Sequence, residues 1–457
     1  MQTAFDIAAD LDTPVSAFLK LGAFEPRFLL ESVEGGERLG RYSFVGLGES
    51  LSVRLEAGTL DVGGRKVAVP GRPELLAALR AALDLAPRLA PELDGVPFRG
   101  GLVGATGYDA ARYLERLPAT DHGEPDALYT APRSLLVFDH VSRRVALLHD
   151  GSDAERAALR GEIVRALRGP VPGRSRRGRH SAPRPSFDRP AFVAAVERAQ
   201  REIAAGEVYQ LVLSVRFEGR AELQPFEAYR ALRLLNPSPY MYFCALDGLA
   251  VVGSSPEALV RLAGREASLR PIAGTRPRGA DADRDAALER ELLDDPKEAA
   301  EHVMLVDLAR NDLGRVAVTG SVRVEPFRTV ERYSHVMHLV SGVRGVLAPE
   351  HDAFELFAAA FPAGTVVGAP KIRAMELIGE LEPARRGVYA GTVGYFGHGG
   401  AMDQAIAIRT LVFSGESYSY QAGAGIVADS VPEREHDEVL AKGAALETAL
   451  SLAEEEL

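Results

Sequence analysis

Two pairs of glutamates on two distant helical stretches are the residues of this sequence whose types and spacing could do chemistry together. The segment Asp295-Pro296-Lys297-Glu298 reads as a helix start, with Asp295 as N-cap, Pro296 at the first helical position and Gly314 as the stop. On that helix Glu298 and Glu301 lie one turn apart and share a face. Far along the chain, Ser430-Val431-Pro432-Glu433 reads as a capping box, and the helix it opens sets Glu435, Glu438 and Lys442 along one stripe at i, i+3 and i+7. Hard oxygen ligands spread over two helices suit Mg²⁺, which keeps several waters and is held by few carboxylates together with an anionic substrate. The same spacing has a plainer use, since a glutamate at the third helical position closes a capping box and Glu-x-x-Glu recurs at Glu31, Glu34 and Glu37.

Further candidates stand outside these helices. Arg409 sits in an otherwise apolar strand, AIAIRTLVF, and an unpaired buried guanidinium is so costly that Arg409 must face solvent or meet an anion. Gly423-Ala424-Gly425 precedes the second carboxylate helix, where small residues let backbone N–H groups approach a ligand carboxylate. Pro271 to Gly279 (PIAGTRPRG) is a turn-rich loop upstream of the first carboxylate helix, and Phe361 to Lys371 is a Gly/Pro loop that opens a helix at Pro370. His338 lies in a strand running from His335 to Val340.

The elements that must position these residues read as α+β. Strands are expected at Arg27 to Ser32, Gly40 to Val45, Leu51 to Leu55, Leu135 to Phe138 and Arg144 to Leu148, with Pro73 to Leu85 the one clear helix among them. The glycine-dense stretch Gly100 to Tyr113 lacks the frame of a phosphate loop and suits close packing of backbones. A helix over 154–168 is followed by Gly169 to Arg184, a flexible Arg/Pro/Gly-rich linker. Beyond it come the helix Phe192 to Ala205, the strand Tyr209 to Phe217, the helix Pro225 to Leu235, and strands at Tyr240 to Leu246 and Leu249 to Gly253. The C-terminal strands are Gly387 to Phe396, Ala401 to Phe413 and Ser417 to Ala422, the last two joined by a tight turn at Ser414-Gly415. Helix–strand pairs followed by adjacent strands argue for mixed or antiparallel sheets over regular parallel winding.

At 457 residues and 46% hydrophobic content the chain can bury a large core, as one big domain or two to three ordinary ones. Its 53 basic and 64 acidic residues leave a net charge of -11, which argues against a nucleic-acid partner and requires any anionic substrate to find a local positive site. The single cysteine, Cys244, excludes an intramolecular disulfide and any multi-cysteine metal site, and a reducing cytoplasm is the expected home. No leader or membrane-length apolar run is read.

Three long motifs, DPKEAAEHVMLVDLARNDLGRV from Asp295, FPAGTVVGAPKIRAMELI from Phe361 and MDQAIAIRT from Met402, resemble the chorismate-utilising enzymes, most closely the anthranilate synthase component I branch. The resemblance runs from LLES at Leu29 to Ser32 through VPEREHDE at Val431 to Glu438. It implies two large, mostly antiparallel β-sheets packed around a central cleft with helices outside, in one intertwined unit: an N-terminal part at 1–168 with regulatory elements and a chorismate-binding part at 185–457. It also implies that Glu301 and Glu438 hold Mg²⁺, with Glu298 and Glu435 beside them on metal-bound water, and that Lys442 adds a positive charge. Tyr389 and Arg409 are then the clamp on the enolpyruvyl carboxylate, Gly423, Ala424 and Gly425 the amide donors, and Thr275 and Thr365 the residues that position substrate. Glu257 or His338 is the general acid for the departing C4 hydroxyl. Relatives that add water carry a lysine base where this sequence has Gln210. Relatives that make the para-amino product carry a nucleophilic lysine at Ala273, beside Gly274. The implied reaction is therefore ammonia addition to chorismate giving anthranilate and pyruvate, with aminodeoxychorismate synthase component I or a non-catalytic amino-acid-binding paralogue as alternatives. Ammonia is expected from a separate glutamine amidotransferase subunit in a heterodimer or heterotetramer. Glu31 and Ser32, with Asn236, Pro239, Tyr240 and Met241, resemble tryptophan-binding elements for feedback inhibition.

Overall fold

Two long strands, Tyr42–Glu56 and Ala127–Asp139, organise the fold by pairing antiparallel along nearly their whole length. The computed structural model describes residues 4–32, 40–118, 123–173, 178–332 and 336–455. Glu34, Glu37, His335 and residues 174–177 of the expected linker therefore lie outside the described residues.

The sequence around Gly40 to Leu55 reads as two strands because Gly48 interrupts the apolar alternation. Gly48 takes φ +62° and the register slips between Glu49 and Leu51, so the interruption is a bend within one 15-residue strand. At that bend the pair passes from one sheet to the other. The first half of Tyr42–Glu56 pairs with Pro26–Glu31 and the second with Thr59–Val62; Ala127–Asp139 pairs with Gly101–Thr106 at its start and Arg144–His149 at its end.

The connected network of 21 strands is thus two antiparallel sheets sharing one strand pair. The first continues from Pro26–Glu31 through Tyr240–Leu246, Leu249–Ser255, Thr410–Ser414 and Ser417–Ile426 to Gln210–Arg220. The second continues from Gly101–Thr106 through Thr392–Gly397, Met402–Ile406 and Ala258–Ala263 to Glu266–Leu269 and Val343–Val346. Pro26–Glu31 lies beside Tyr240–Leu246 in the first sheet and Gly101–Thr106 beside Thr392–Gly397 in the second, so the parts at 1–168 and 185–457 interleave. The class is α+β, as expected.

Between the two sheets lies an apolar layer that includes Phe28, Phe98, Val137, Tyr242, Cys244 and Tyr395. Cys244 is buried there with its thiol pushed up to about 12 by burial, a small hydrophobe in practice. Helices Arg189–Ala204, Pro225–Leu235 and Pro432–Glu454 cover the outer face of the first sheet, and Arg72–Leu85, Pro296–Gly314 and Ala353–Ala360 that of the second. Among the described residues no helix is long and apolar enough to cross a membrane. Close backbone packing in Gly100 to Tyr113 is real: a Cβ on Gly104 would come 2.0 Å from the Leu128 carbonyl oxygen and 2.7 Å from the Tyr129 Cα. Gly104→Ala should therefore cost on the order of 1–3 kcal/mol in a urea titration, because backbone cannot rotate away as a side chain can.

Five other expectations need correction. Ile272–Pro277, expected as loop, is a strand of a separate three-stranded sheet with Val336–Val340 and Thr329–Arg332; its prolines lie at its edge, and Gly274 absorbs a register slip. Ala401 to Phe413 is two strands broken at 407–409. The helix Pro432–Glu454 is capped by Val431 without a side-chain bond, so there is no capping box, and Ser430 instead accepts from the Val427 N–H at 3.1 Å. Pro14–Lys20 is a second N-terminal helix, with a capping box from Thr13 and Ser16. The described remainder of the expected linker runs beside the first sheet: Arg184–Pro185 pairs with Gln210–Arg220, and the Tyr418 hydroxyl donates to the Ser181 carbonyl at 2.7 Å.

Candidate active site

A pocket of about 260 Å³ opens where the chain crosses between the two sheets. Glu257 lies in the two-residue step from Leu249–Ser255 in the first sheet to Ala258–Ala263 in the second. Arg409 lies in the opposite step, from Met402–Ile406 in the second to Thr410–Ser414 in the first. The steps are stitched together, since the Ser254 N–H donates to the Arg409 carbonyl at 3.1 Å and the Ile406 N–H to the Glu257 carbonyl at 3.0 Å. Arg409 adopts φ +51°, a left-handed conformation that a non-glycine residue holds only when its surroundings enforce it. Both side chains thereby leave the sheets and line one cavity.

The other walls come from four elements. Gln210 begins the strand Gln210–Arg220, and the neighbouring Ser417–Ile426 supplies Gly423 and Gly425, so these glycines are strand residues rather than a loop before the helix. A Cβ on Gly425 would meet Gln210 Nε2 at 2.7 Å, and one on Gly423 the Tyr389 hydroxyl at 2.7 Å; side chains there would fill the pocket floor. Ala424, between them, points to the other face and is buried. Glu301 enters from Pro296–Gly314, Lys442 from Pro432–Glu454, and Thr365 from the loop before Lys371–Leu381.

The electrostatics separate the two acid–base candidates. Burial raises the Glu257 carboxyl to about 8; the Thr365 hydroxyl faces it and pulls slightly the other way without closing a hydrogen bond of ordinary geometry. Glu257 keeps some residue surface at the pocket while its carboxyl is enclosed by protein, and the enclosure governs the proton. His338 is shifted downward by burial and by the charge of Arg409. Its Nδ1 lies 3.0 Å from Thr275 Oγ1 and 3.2 Å from the Gly274 carbonyl, which can only accept, so Nδ1 carries the hydrogen of a neutral ring. His338 and Thr275 are cross-strand partners in the small sheet and lie off the pocket lining, with Ala273 buried against Leu339. Gly274, at φ +60°, passes so close to the carboxylate helix that a Cβ would come within 2.9 Å of Glu298 Oε2.

The four glutamates divide. Burial, then the Glu298 charge, then more weakly the Glu438 charge hold the Glu301 carboxyl above its ordinary range. Glu438 pairs with Lys442 at 2.6 Å, both about half exposed, while Lys442 Nζ also donates to the Gly423 carbonyl at 3.0 Å. Glu298 accepts from Arg276 at 3.1 Å, and the same guanidinium binds Asp295 and Glu291, each at 2.8 Å. Glu435 is raised by burial and the Glu438 charge and lowered by the Ser430 hydroxyl. Among the described residues no three His, Cys, Asp or Glu side chains stand close enough together to hold a metal ion by themselves.

Sequence reasoning missed the frame behind the pocket. Arg386, 3% exposed, binds Glu382 at 2.7 Å and donates to the Val366 carbonyl at 2.7 Å and the Val212 carbonyl at 2.8 Å. Glu382 in turn accepts from the backbone N–H and hydroxyl of Ser214, each at 2.8 Å. This buried pair ties the loop carrying Thr365 to the strand carrying Gln210, and its guanidinium lies 5.6 Å from the Tyr389 ring centroid. Its one sequence signal is the i,i+4 spacing, which ordinary surface pairs share.

A second cavity, of about 470 Å³, lies at the far end of the first sheet, lined by Glu31, Ser32, Pro239, Tyr240 and Met241 among others. Asn236 is not in its lining; its carbonyl accepts the Ser254 hydroxyl. Glu31 is held by the Tyr229 hydroxyl and by Arg233 at 3.0 Å, and the cavity wall carries the ion pair Arg261–Asp403 at 2.9 Å. Tyr240 pairs in register with Ser255, two residues from Glu257, so one strand joins the two cavities.

The family described as chorismate binding enzyme matches residues 25–448. Anthranilate synthase component 1 of Thermus thermophilus is 49% identical over 456 residues, covering 98% of this chain and 97% of the relative. The crystal structure of anthranilate synthase component I from Streptococcus pneumoniae superimposes with a TM-score of 0.79 at 36% identity, covering 91% of this chain and 93% of that one. The menaquinone-specific isochorismate synthase of Escherichia coli, at 23% identity and a TM-score of 0.71 over 95% of this chain and 91% of that one, shares the fold.

Proposed function

The chain belongs to the chorismate-binding enzymes, and from that premise we propose that it is the large subunit of an anthranilate synthase, which adds ammonia to chorismate and releases pyruvate. The observation that carries this reading is the cavity in which Arg409 and Lys442 stand with Glu301 and a protonated Glu257. The positive pair meets a doubly negative substrate in an otherwise acidic protein. Arg409 with Tyr389 binds the enolpyruvyl carboxylate, the backbone of Gly423 and Gly425 lies along the substrate, and Thr365 shapes the approach, with Thr275 and His338 set outside the lining. Glu257 gives its proton to the C4 hydroxyl, which leaves as water while ammonia bonds at C2; loss of the C2 proton and of pyruvate then forms the aromatic ring. Gln210 and Ala273 offer neither a lysine base for water nor a lysine nucleophile, which favours direct attack by the amine.

Glu301 and Glu438 fit Mg²⁺. They are hard oxygen donors whose mutual repulsion a divalent cation relieves, and the half-exposed Glu438–Lys442 pair is weak enough, at about 0.3–0.5 kcal/mol for an i,i+4 pair, to yield to it. Mg²⁺ needs only one or two protein carboxylates when substrate and water complete its shell, so the absence of a third neighbour among the described residues is no obstacle. Bound there, the ion supplies positive charge for the ring carboxylate. Glu298 and Glu435 complete the acidic rim.

Buried Cys244 is unsuited to glutamine hydrolysis, so the ammonia comes from a separate glutamine amidotransferase subunit, in a heterodimer or heterotetramer. The cavity at Glu31 and Ser32 takes tryptophan as feedback inhibitor, and the strand Leu249–Ser255 carries its effect to Glu257. Ser32→Ala should leave uninhibited turnover near wild type and raise the inhibiting tryptophan concentration about five-fold, one hydrogen bond of about 1 kcal/mol, in a fluorescence assay of anthranilate. The decisive experiment is product identification with chorismate and Mg²⁺, comparing ammonium at alkaline pH with glutamine plus the partner subunit. Absence of anthranilate with ammonium overturns the reading.

A further inference from the structure

Resting on the reading that Glu301 and Glu438 hold Mg²⁺, we propose that Arg276 is a positioning residue that withdraws Glu298 from the metal and thereby keeps Mg²⁺ binding dependent on substrate. Arg276 follows Thr275 in the strand Ile272–Pro277, and each nitrogen of its guanidinium has a partner. Nε donates to Glu291 at 2.8 Å and Nη2 to Asp295 at 2.8 Å, while Nη1 donates to Glu298 at 3.1 Å and to the Thr275 carbonyl at 3.0 Å. One side chain thus grips the helix Ala282–Asp294, the N-cap of the helix Pro296–Gly314 and the first turn of that second helix. Arg276 and Glu298 are 17% and 23% exposed, so their pair is shielded from much of the solvent.

The Glu298 carboxylate is held from two sides. Its Oε1 takes the Arg276 hydrogen, and its Oε2 lies so near the strand backbone that a Cβ on Gly274 would come within 2.9 Å of it. Glu301, one helical turn further on, lines the pocket; Glu298 does not. To reach a metal beside Glu301, Glu298 must give up a charge-assisted bond, the stronger kind of hydrogen bond. The reason for such a tether lies in the charge count. Two carboxylates cancel the two charges of Mg²⁺, and a third makes the site negative, which repels the ring carboxylate that the ion is there to receive. Affinity for a hard cation also rises with the number of charged ligands, so a third carboxylate retains the ion after product leaves. With Glu298 tethered, the shell stays short of ligands until substrate supplies one. No signal of this tether stands in the sequence, since Arg276 and Glu298 are joined across two elements.

The test is isothermal titration of Mg²⁺ into the substrate-free protein, which needs no turnover. Arg276→Leu should bind Mg²⁺ about ten-fold or more tighter than wild type, because Glu298 is released to the ion. Glu298→Gln alone should stay within about two-fold of wild type, and Arg276→Leu with Glu298→Gln should return to that same range. Where Arg276→Leu does not fold, the milder Arg276→Gln decides in its place. A merely structural arginine predicts unchanged or weaker binding on its removal, and either result overturns the tether. So does a gain that persists without Glu298, or a loss of more than about two-fold in Glu298→Gln alone. Wild-type protein that binds Mg²⁺ in the presence of chorismate keeps the metal reading intact whatever Arg276 does. Wild-type protein that binds no Mg²⁺ even with chorismate overturns that reading and this one with it.

Discussion

Glu438→Gln should lose nearly all Mg²⁺-dependent turnover, a barrier increase of several kcal/mol, and Glu301→Gln should do the same. The size follows from charge. On the proposed reading a dianionic substrate would enter beside Glu301, Glu298, Glu435 and Glu438 and meet repulsion that Lys442 and Arg409 only partly offset, so removing a carboxylate that would anchor a divalent cation should cost more than removing an ordinary contact. Isothermal titration of Mg²⁺ in the presence of chorismate should show weakened binding in both variants. The two should differ in the free protein. Glu301 is held up by burial and neighbouring charge, so wild-type Mg²⁺ binding should release protons and weaken as pH falls through the raised Glu301 range. Glu301→Gln should abolish that pH dependence, whereas Glu438→Gln, which also relieves part of the repulsion on Glu301, should move it to lower pH. Full Mg²⁺-dependent turnover in either variant would remove that residue from the metal site.

How much of this was legible in the sequence depended on whether the cause was local. Asp295-Pro296 announced its helix because the cap is made by adjacent residues, and the Asp295 carboxylate does accept from the N–H groups of Lys297 and Glu298 at 2.9 and 3.2 Å. The hairpin at Ser414-Gly415 was legible for the same reason: Ser414 pairs with Ser417, and Gly415 takes φ +56°. Where the cause was tertiary, local signals misled. Ile272–Pro277 carries glycine and proline, yet pairing with Val336–Val340 overrides them. The break at Arg409 carries neither residue, because the crossing between sheets forces it. The pocket itself draws on residues from Gln210 to Lys442, which no window of the sequence could bring together; the resemblance supplied its polar members and the two glycines but not Gln421 or the apolar wall, and the geometry adds the frame of Arg386, Glu382 and Ser214 behind them.

The remaining large effect belongs to Glu257. Glu257→Gln should lower kcat by about 10²–10⁴ at neutral pH, the usual worth of a positioned proton donor, and leave the chorismate KM within a few-fold. The wild-type pH profile carries the sign. With its carboxyl near 8, Glu257 is protonated at neutral pH, so kcat at saturating free ammonia should hold up to about pH 8 and fall above it, a limb that Glu257→Gln abolishes. Stability should move the opposite way. In the unfolded chain the same carboxyl ionises near its ordinary value of 4.5, so between about 4.5 and 8 the unfolded state binds fewer protons and the residue costs folding free energy that grows with pH. Removing the titration removes that cost. Thermal unfolding of Glu257→Gln at pH 8 should therefore occur at a higher temperature than wild type, with the difference shrinking toward pH 5. A variant that is slower and more stable together separates a strained proton donor from a packing residue, whose loss would lower both. If His338 were the donor instead, His338→Gln would abolish the alkaline limb and Glu257→Gln would keep it.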